Sequence, residues 1–174
     1  MTLASAAFGC TFTTRTFNIG QKTSLERQLM GEVEPLTEEE ILLSSVRAQT
    51  GSLSMGALDQ ARLRAIAARR RQLFNRDDVD ELKKDGCLGE GLRAALVARP
   101  CERSANSEAA ALRDRVLGEE NADRQAIIDW ALANDPLLTA ADRPQIEALY
   151  TRMLREAARP GEWVQSDHGA WSRR

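Results

Sequence analysis

Few side chains in this 174-residue chain are of the types that perform chemistry. The single histidine, His168, follows Asp167 in the turn-forming string Ser166-Asp167-His168-Gly169, where an imidazole is read as a solvated loop group. Three carboxylates, Glu119, Glu120 and Asp123, fall close together, and Glu119 and Asp123 are four apart, which makes them neighbours on a helix surface. Acids at that spacing can share a proton or hold a divalent ion. The competing reading is a structural ion pair, with Arg69 the natural partner because it interrupts an apolar stripe of its own. The ion pair is preferred, since the carboxylates lack a third ligand at fixed spacing and neither nucleophile nor histidine stands nearby. No metal, cofactor or small-molecule substrate is expected.

The cysteines offer a different chemistry. Cys10, Cys87 and Cys101 show no C-x-x-C spacing, which removes most zinc and haem schemes. Cys87 and Cys101 enclose thirteen residues and lie at breaks, after Gly86 and after Pro100. Bridged, they would close a loop worth about 3 kcal/mol, which requires an oxidising compartment; in the cytosol both would be small reduced side chains. Cys10 ends an uncharged string of apolar and small residues from Met1, with Gly9 just before it. That pattern resembles the end of a bacterial lipoprotein signal, shortened and without a basic start, which makes Cys10 the expected acylation site; the alternative is an ordinary terminus whose cysteine is incidental.

Basic groups give a weaker signal. Arg69-Arg70-Arg71 could be a phosphate-binding helix face, but successive helix residues point about 100° apart and Asp77, Asp78, Asp80 and Glu81 follow at once. With 24 basic against 26 acidic residues, the net charge is -2, and no cationic field for nucleic acid is expected. Composition is 43% hydrophobic and 29% charged, which fits a globular domain with no apolar run of membrane-spanning length.

The elements that must position these groups are mostly helices. Thr11 to Phe17 is rich in Thr and Phe with partial alternation, which suits an extended arm or an edge strand. Thr23 to Met30 reads as a brief helix, and Thr37 with Glu40 opens a capped helix to Gln49. Gly51 to Gly56 is the connection to a helix from Ala57 to Phe74, whose buried face is predicted to hold Leu58, Ala61, Ala65, Ile66 and Leu73. Asn75 with Asp78 starts another, closed at Asp85-Gly86. Leu88 to Arg99 reads as two or three helical turns before Pro100. Ser107 to Asn134 is the longest helix, and Thr139 to Ala158 the last, antiparallel to it, with Ile146, Leu149, Tyr150, Met153, Leu154 and Ala157 as its stripe. Trp163 to Ser172 forms a terminal hairpin whose turn register decides whether Trp163 and Trp171 share a face.

Several stretches resemble the YdbL-type family of envelope proteins, above all its lipoprotein branch. They are Gln21-Lys22-Thr23-Ser24-Leu25-Glu26-Arg27-Gln28, Phe74-Asn75-Arg76-Asp77-Asp78-Val79 leading to Lys84-Asp85-Gly86-Cys87-Leu88-Gly89-Glu90, Glu119-Glu120-Asn121-Ala122-Asp123-Arg124, and Arg159-Pro160-Gly161-Glu162-Trp163. Order and spacing carry the likeness, which spans most of Cys10 to Arg173. The leader is shorter than the family's, and Cys87 stands where an aromatic residue is expected. The resemblance implies an exported, helical, non-enzymatic protein attached through an acylated cysteine, here Cys10, and linked with AsmA-like proteins that move lipid between membranes. It supplies no catalytic residue.

The expectation is therefore a mainly α helical bundle with an extended N-terminal arm and a small C-terminal β-hairpin. Its parts are a signal at 1–10, an arm at 11–35, a helical domain at 36–158 and the hairpin at 159–174. The expected role is a periplasm-facing, lipid-anchored scaffold for an envelope complex, on the outer membrane in preference to the inner. The alternatives are a soluble adaptor whose arginine-rich helix touches nucleic acid, and a carboxylate-based ion-binding protein or hydrolase using Glu119, Glu120 and Asp123.

Overall fold

The computed structural model describes residues 24–30 and 57–174. Cys10, the arm at 11–17 and the capped helix expected from Thr37 to Gln49 lie outside the described residues. Helix α1 spans Ser24–Met30 and buries Leu29 completely. Helix α2 (Ala57–Phe74) is followed by α3 (Arg76–Lys84), α4 (Ser107–Asn134) and α5 (Arg143–Ala157). Short 3₁₀ turns at Glu102–Ala105 and Ala140–Asp142 lead into α4 and α5.

Local chemistry explains the helix ends. Asn106 caps α4 by accepting hydrogen bonds from the amides of Glu108 and Ala109 at 2.9 and 3.0 Å. A reciprocal Thr139–Asp142 capping box starts the turn before α5, and Pro144 sits in the first turn of that helix, where its missing N–H costs nothing. Helix α3 ends at Gly86, whose φ of 74° is the left-handed value that glycine adopts without strain.

Helix α2 lies along α4, and α1 packs against both α4 and α5. Leu29, Ala68, Ile127, Ile128, Ile146 and Tyr150 form the main core between them. The buried stripe of α5 is as predicted at Ile146, Tyr150 and Met153, whereas Ala157 faces solvent. Among the described side chains of α2 the buried ones are Ala61, Ala65, Ile66 and Ala68; Leu58 lies outside them, and Leu73 departs from expectation: it is 62% exposed, beside Phe74 at 83%. The last turn of α2 faces α4 through Arg71 and Gln72, which leaves Leu73 and Phe74 on the side away from it.

The predicted helix from Leu88 to Arg99 is a β-hairpin instead. Strand β1 (Leu88–Glu90) pairs antiparallel with β2 (Leu96–Ala98), and β1 also pairs in parallel with β3 (Trp163–Gln165), which is antiparallel to β4 (Trp171–Arg173). The sheet order is β2-β1-β3-β4, so the C-terminal hairpin extends a sheet begun before α4. Reversal between β1 and β2 uses Arg93 and Ala94, both left-handed at φ 57° and 56°. Non-glycine residues rarely adopt that conformation. Here the turn is pinned from outside: the Ala94 amide donates to Thr151 Oγ1 at 2.6 Å, and Arg93 pairs with the buried Glu147 at 2.9 Å. A second core of Leu82, Leu88, Leu96 and Val116 seals the hairpin against α3 and α4.

Candidate functional site

Charged residues meet where α3, α4 and the sheet come together. Lys83, the penultimate residue of α3, places its ammonium 3.0 Å from Glu90 on β1 and 2.8 Å from Glu162, which precedes β3. Arg124 of α4 donates to both Glu90 oxygens at 2.7 and 3.2 Å, to Glu120 at 2.7 Å and to the Ala94 carbonyl at 3.2 Å. Gln72 of α2 donates to Glu120 at 3.0 Å. All five charged members are buried. Burial pushes the Glu90 carboxyl up, but Arg124 and then Lys83 more than reverse it and hold it at about 2. Burial likewise opposes the charge on Lys83, and Glu90 and Glu162 outweigh it, leaving the ammonium above its usual value.

The four residues expected to form an ion pair are placed differently. Arg69 donates to Gln72 at 2.9 Å and to the Gln28 and Leu29 carbonyls, tying α2 to α1 instead of meeting the carboxylates. Arg71 takes that role: it donates through Nε to Asp123 at 3.0 Å and through a second nitrogen to the other oxygen. The register of α2 against α4 decides this, because Arg71, Gln72 and Asn75 point at Asp123, Glu120 and Glu119 in turn. Glu119 accepts from Asn75 at 2.6 Å and from Arg115 at 3.1 Å, the Asn75 bond being the main reason its carboxyl lies below the usual range. Asn75 gives α3 no side-chain cap, and its Oδ1 is buried without a hydrogen-bond partner. Burial raises the Asp123 carboxyl in spite of Arg71.

A second cluster lies on the sheet. Cys87 and Cys101 form a disulfide with Cα atoms 5.0 Å apart, and between them the Arg99 amide donates to the Cys87 carbonyl at 2.7 Å. The Arg99 guanidinium carbon sits 4.8 Å from the Trp163 ring centre and 4.4 Å from that of Trp171, while Arg173 lies 4.2 Å from Trp163. Register settles the open question of facing: Gln165 pairs with Trp171 and Trp163 with Arg173, so both indoles stand on one face. Gly89 lies beneath them, and a Cβ there would come within 2.7 Å of Trp171 and 2.8 Å of Trp163.

Sequence reasoning missed Lys83, Glu90, Arg124 and Glu162. The signal available for Glu90 was a charge within a short run of small and apolar residues, in a segment expected to be helical. His168 is exposed in the β3–β4 turn, next to Asp167, which pairs with Arg155 at 2.6 Å. Among the described residues, no group of three histidine, cysteine or acidic side chains is placed to hold a metal ion, and no helix is long and apolar enough to cross a membrane. A shallow depression lined by Arg103, Asn106, Ala109 and Leu112 opens at the start of α4, about 18 Å along the helix from the charged network.

Fold and site together define a mainly α domain, pinned by a disulfide and centred on buried ion pairs. Compared with family models, curated proteins and solved structures, the chain matches none.

Proposed function

We propose that the chain is a non-enzymatic accessory protein of the cell envelope, exported, anchored through an acylated Cys10 and facing the periplasm, where it scaffolds a partner complex. The Cys87–Cys101 disulfide carries this reading, because such a bond persists in oxidising compartments and is rare in the cytosol. Support for a binding role is that the polar centre is occupied by its own partners. Glu119, Glu120 and Asp123 are each engaged by arginine or amide groups, and neither Glu90 nor Lys83 titrates near neutrality. The anchor and the AsmA-like partner rest on the sequence resemblance, as does the choice of the outer membrane.

The test is expression with the native upstream region in the native host, labelling with a palmitate analogue, and comparison with Cys10→Ala. Label on the wild type alone, in the membrane fraction and with Cys87 and Cys101 resistant to alkylation until reduced, is the expected result. Unlabelled chain with free thiols in the soluble cytosolic fraction of both strains would overturn it.

A further inference from the structure

The stack on the sheet face runs Trp171, Arg99, Trp163, Arg173, with both guanidinium groups within 5 Å of the Trp163 ring. Two like charges around one indole repel each other, and acids on the neighbouring elements pair with other cations. Asp167 pairs with Arg155, Glu162 with Lys83, and Asp80 with Arg159. Among the described residues no acid pairs with Arg99 or Arg173. Arg173 donates to the Gly161 carbonyl, and Arg99 Nε is shut off from solvent without a hydrogen-bond partner.

The surroundings leave this charge open on one side. Strand β4 is an edge strand at the end of the sheet, and Ser172 and Arg173 on it, with Arg174 just after it, are exposed. The Cys87–Cys101 bridge and the Arg99–Cys87 hydrogen bond fix the backbone that carries Arg99, and the Gly161 carbonyl and the Trp163 ring hold Arg173, so the two cations are in place before any ligand arrives. A surface with fixed guanidinium groups bordered by half-exposed indoles matches the region of a bilayer where phosphate meets the first methylenes: arginine binds phosphate, and tryptophan spans the polar-to-apolar boundary.

We propose that the Trp171–Arg99–Trp163–Arg173 stack is a contact site for the phosphate groups of anionic phospholipid headgroups. The envelope location is taken from the function proposed above; the contact itself rests on the stack. Each basic group near an anionic surface contributes about 1 kcal/mol, so removing both weakens partitioning by about 30-fold.

The test uses the full chain with Cys10→Ser, so that no acyl tether contributes, and sedimentation with phosphatidylcholine vesicles with and without phosphatidylglycerol. Binding to the anionic vesicles, falling with salt and accompanied by a change in tryptophan emission, is expected. Arg99→Gln with Arg173→Gln should lose it about 30-fold. Arg99→Lys with Arg173→Lys should retain most of it, which separates lost charge from lost fold. Arg64→Gln with Arg70→Gln, the same charge change on α2, should bind as wild type. Equal binding to both vesicle types, wild-type binding by the Arg99/Arg173 glutamine variant, or equal loss in the α2 control would overturn the proposal. So would full displacement by millimolar inorganic phosphate, which would make the ligand free phosphate. Palmitate labelling of Cys10 is indifferent to all of these outcomes, so the two readings fail separately.

Discussion

Glu90 joins the two halves of the buried network, accepting from Arg124 on one side and Lys83 on the other. Glu90→Gln keeps its size and removes its charge. A carboxyl held at about 2 instead of 4.5 prefers the charged form in the folded protein by about 3 kcal/mol, which lies in the 3–5 kcal/mol range for breaking a buried pair. The substitution also leaves Lys83 with Glu162 and Arg124 with Glu120, so the loss falls at the lower end of that range. Urea unfolding at pH 7 should therefore show a destabilisation of about 3 kcal/mol with an unchanged m-value. The pH dependence gives a sharper check. A carboxyl depressed in the folded state stabilises fully above 4.5, and that contribution disappears as pH falls from 4.5 to about 2. The stability difference between wild type and Glu90→Gln should be flat above pH 5.5 and shrink toward zero near pH 2. A gap below about 1 kcal/mol at pH 7, or one that does not change across acid pH, would refute the assignment of Glu90 as a charged node.

Three further outcomes follow from the geometry. Cys87→Ala with Cys101→Ala should lower stability by about 3 kcal/mol in non-reducing buffer and make it indifferent to dithiothreitol, checked by parallel denaturation curves. Gly89→Ala drives a methyl into the Trp171 indole and the Trp163 Cβ and should cost about 1–3 kcal/mol, with a changed near-ultraviolet tryptophan signal; an unaltered spectrum would contradict the packing of Gly89 under Trp163 and Trp171. Arg93→Gly relieves left-handed strain of about 1 kcal/mol but leaves the buried Glu147 carboxylate without its ion-pair partner, so thermal denaturation should show a lowered midpoint, and Arg93→Val, which loses the pair and keeps the strain, should lower it further.

The helices were legible because their signals are local. Apolar residues three and four apart, with Asp135-Pro136 beyond, gave α4 from Ser107 to Asn134, and Asp85-Gly86 gave the end of α3. The hairpin at Leu88–Ala98 was not legible: Leu92-Arg93-Ala94-Ala95-Leu96 is made of good helix formers, and none of the Asn-Gly or Asp-Gly pairs that announce a tight hairpin turn is present. Its conformation is held by Thr151, Glu147 and Arg124, residues 30 to 57 positions away whose contacts outweigh a local preference of a few tenths of a kcal/mol per residue.

The same division applies to the polar centre. The sequence by itself determined that three acids would crowd one flank of α4 and that Cys87 and Cys101 lay at breaks in the chain. Only the tertiary structure decided that Arg71 and Arg124, in place of Arg69, would answer those acids, and that Lys83, Glu90 and Glu162 would be buried together. Periodicity fixes which residues share a helix face. Partners across faces are set by the axial offset of α2 against α4 and by the parallel pairing of β1 with β3, both of which come from fitting the cores together over long separations.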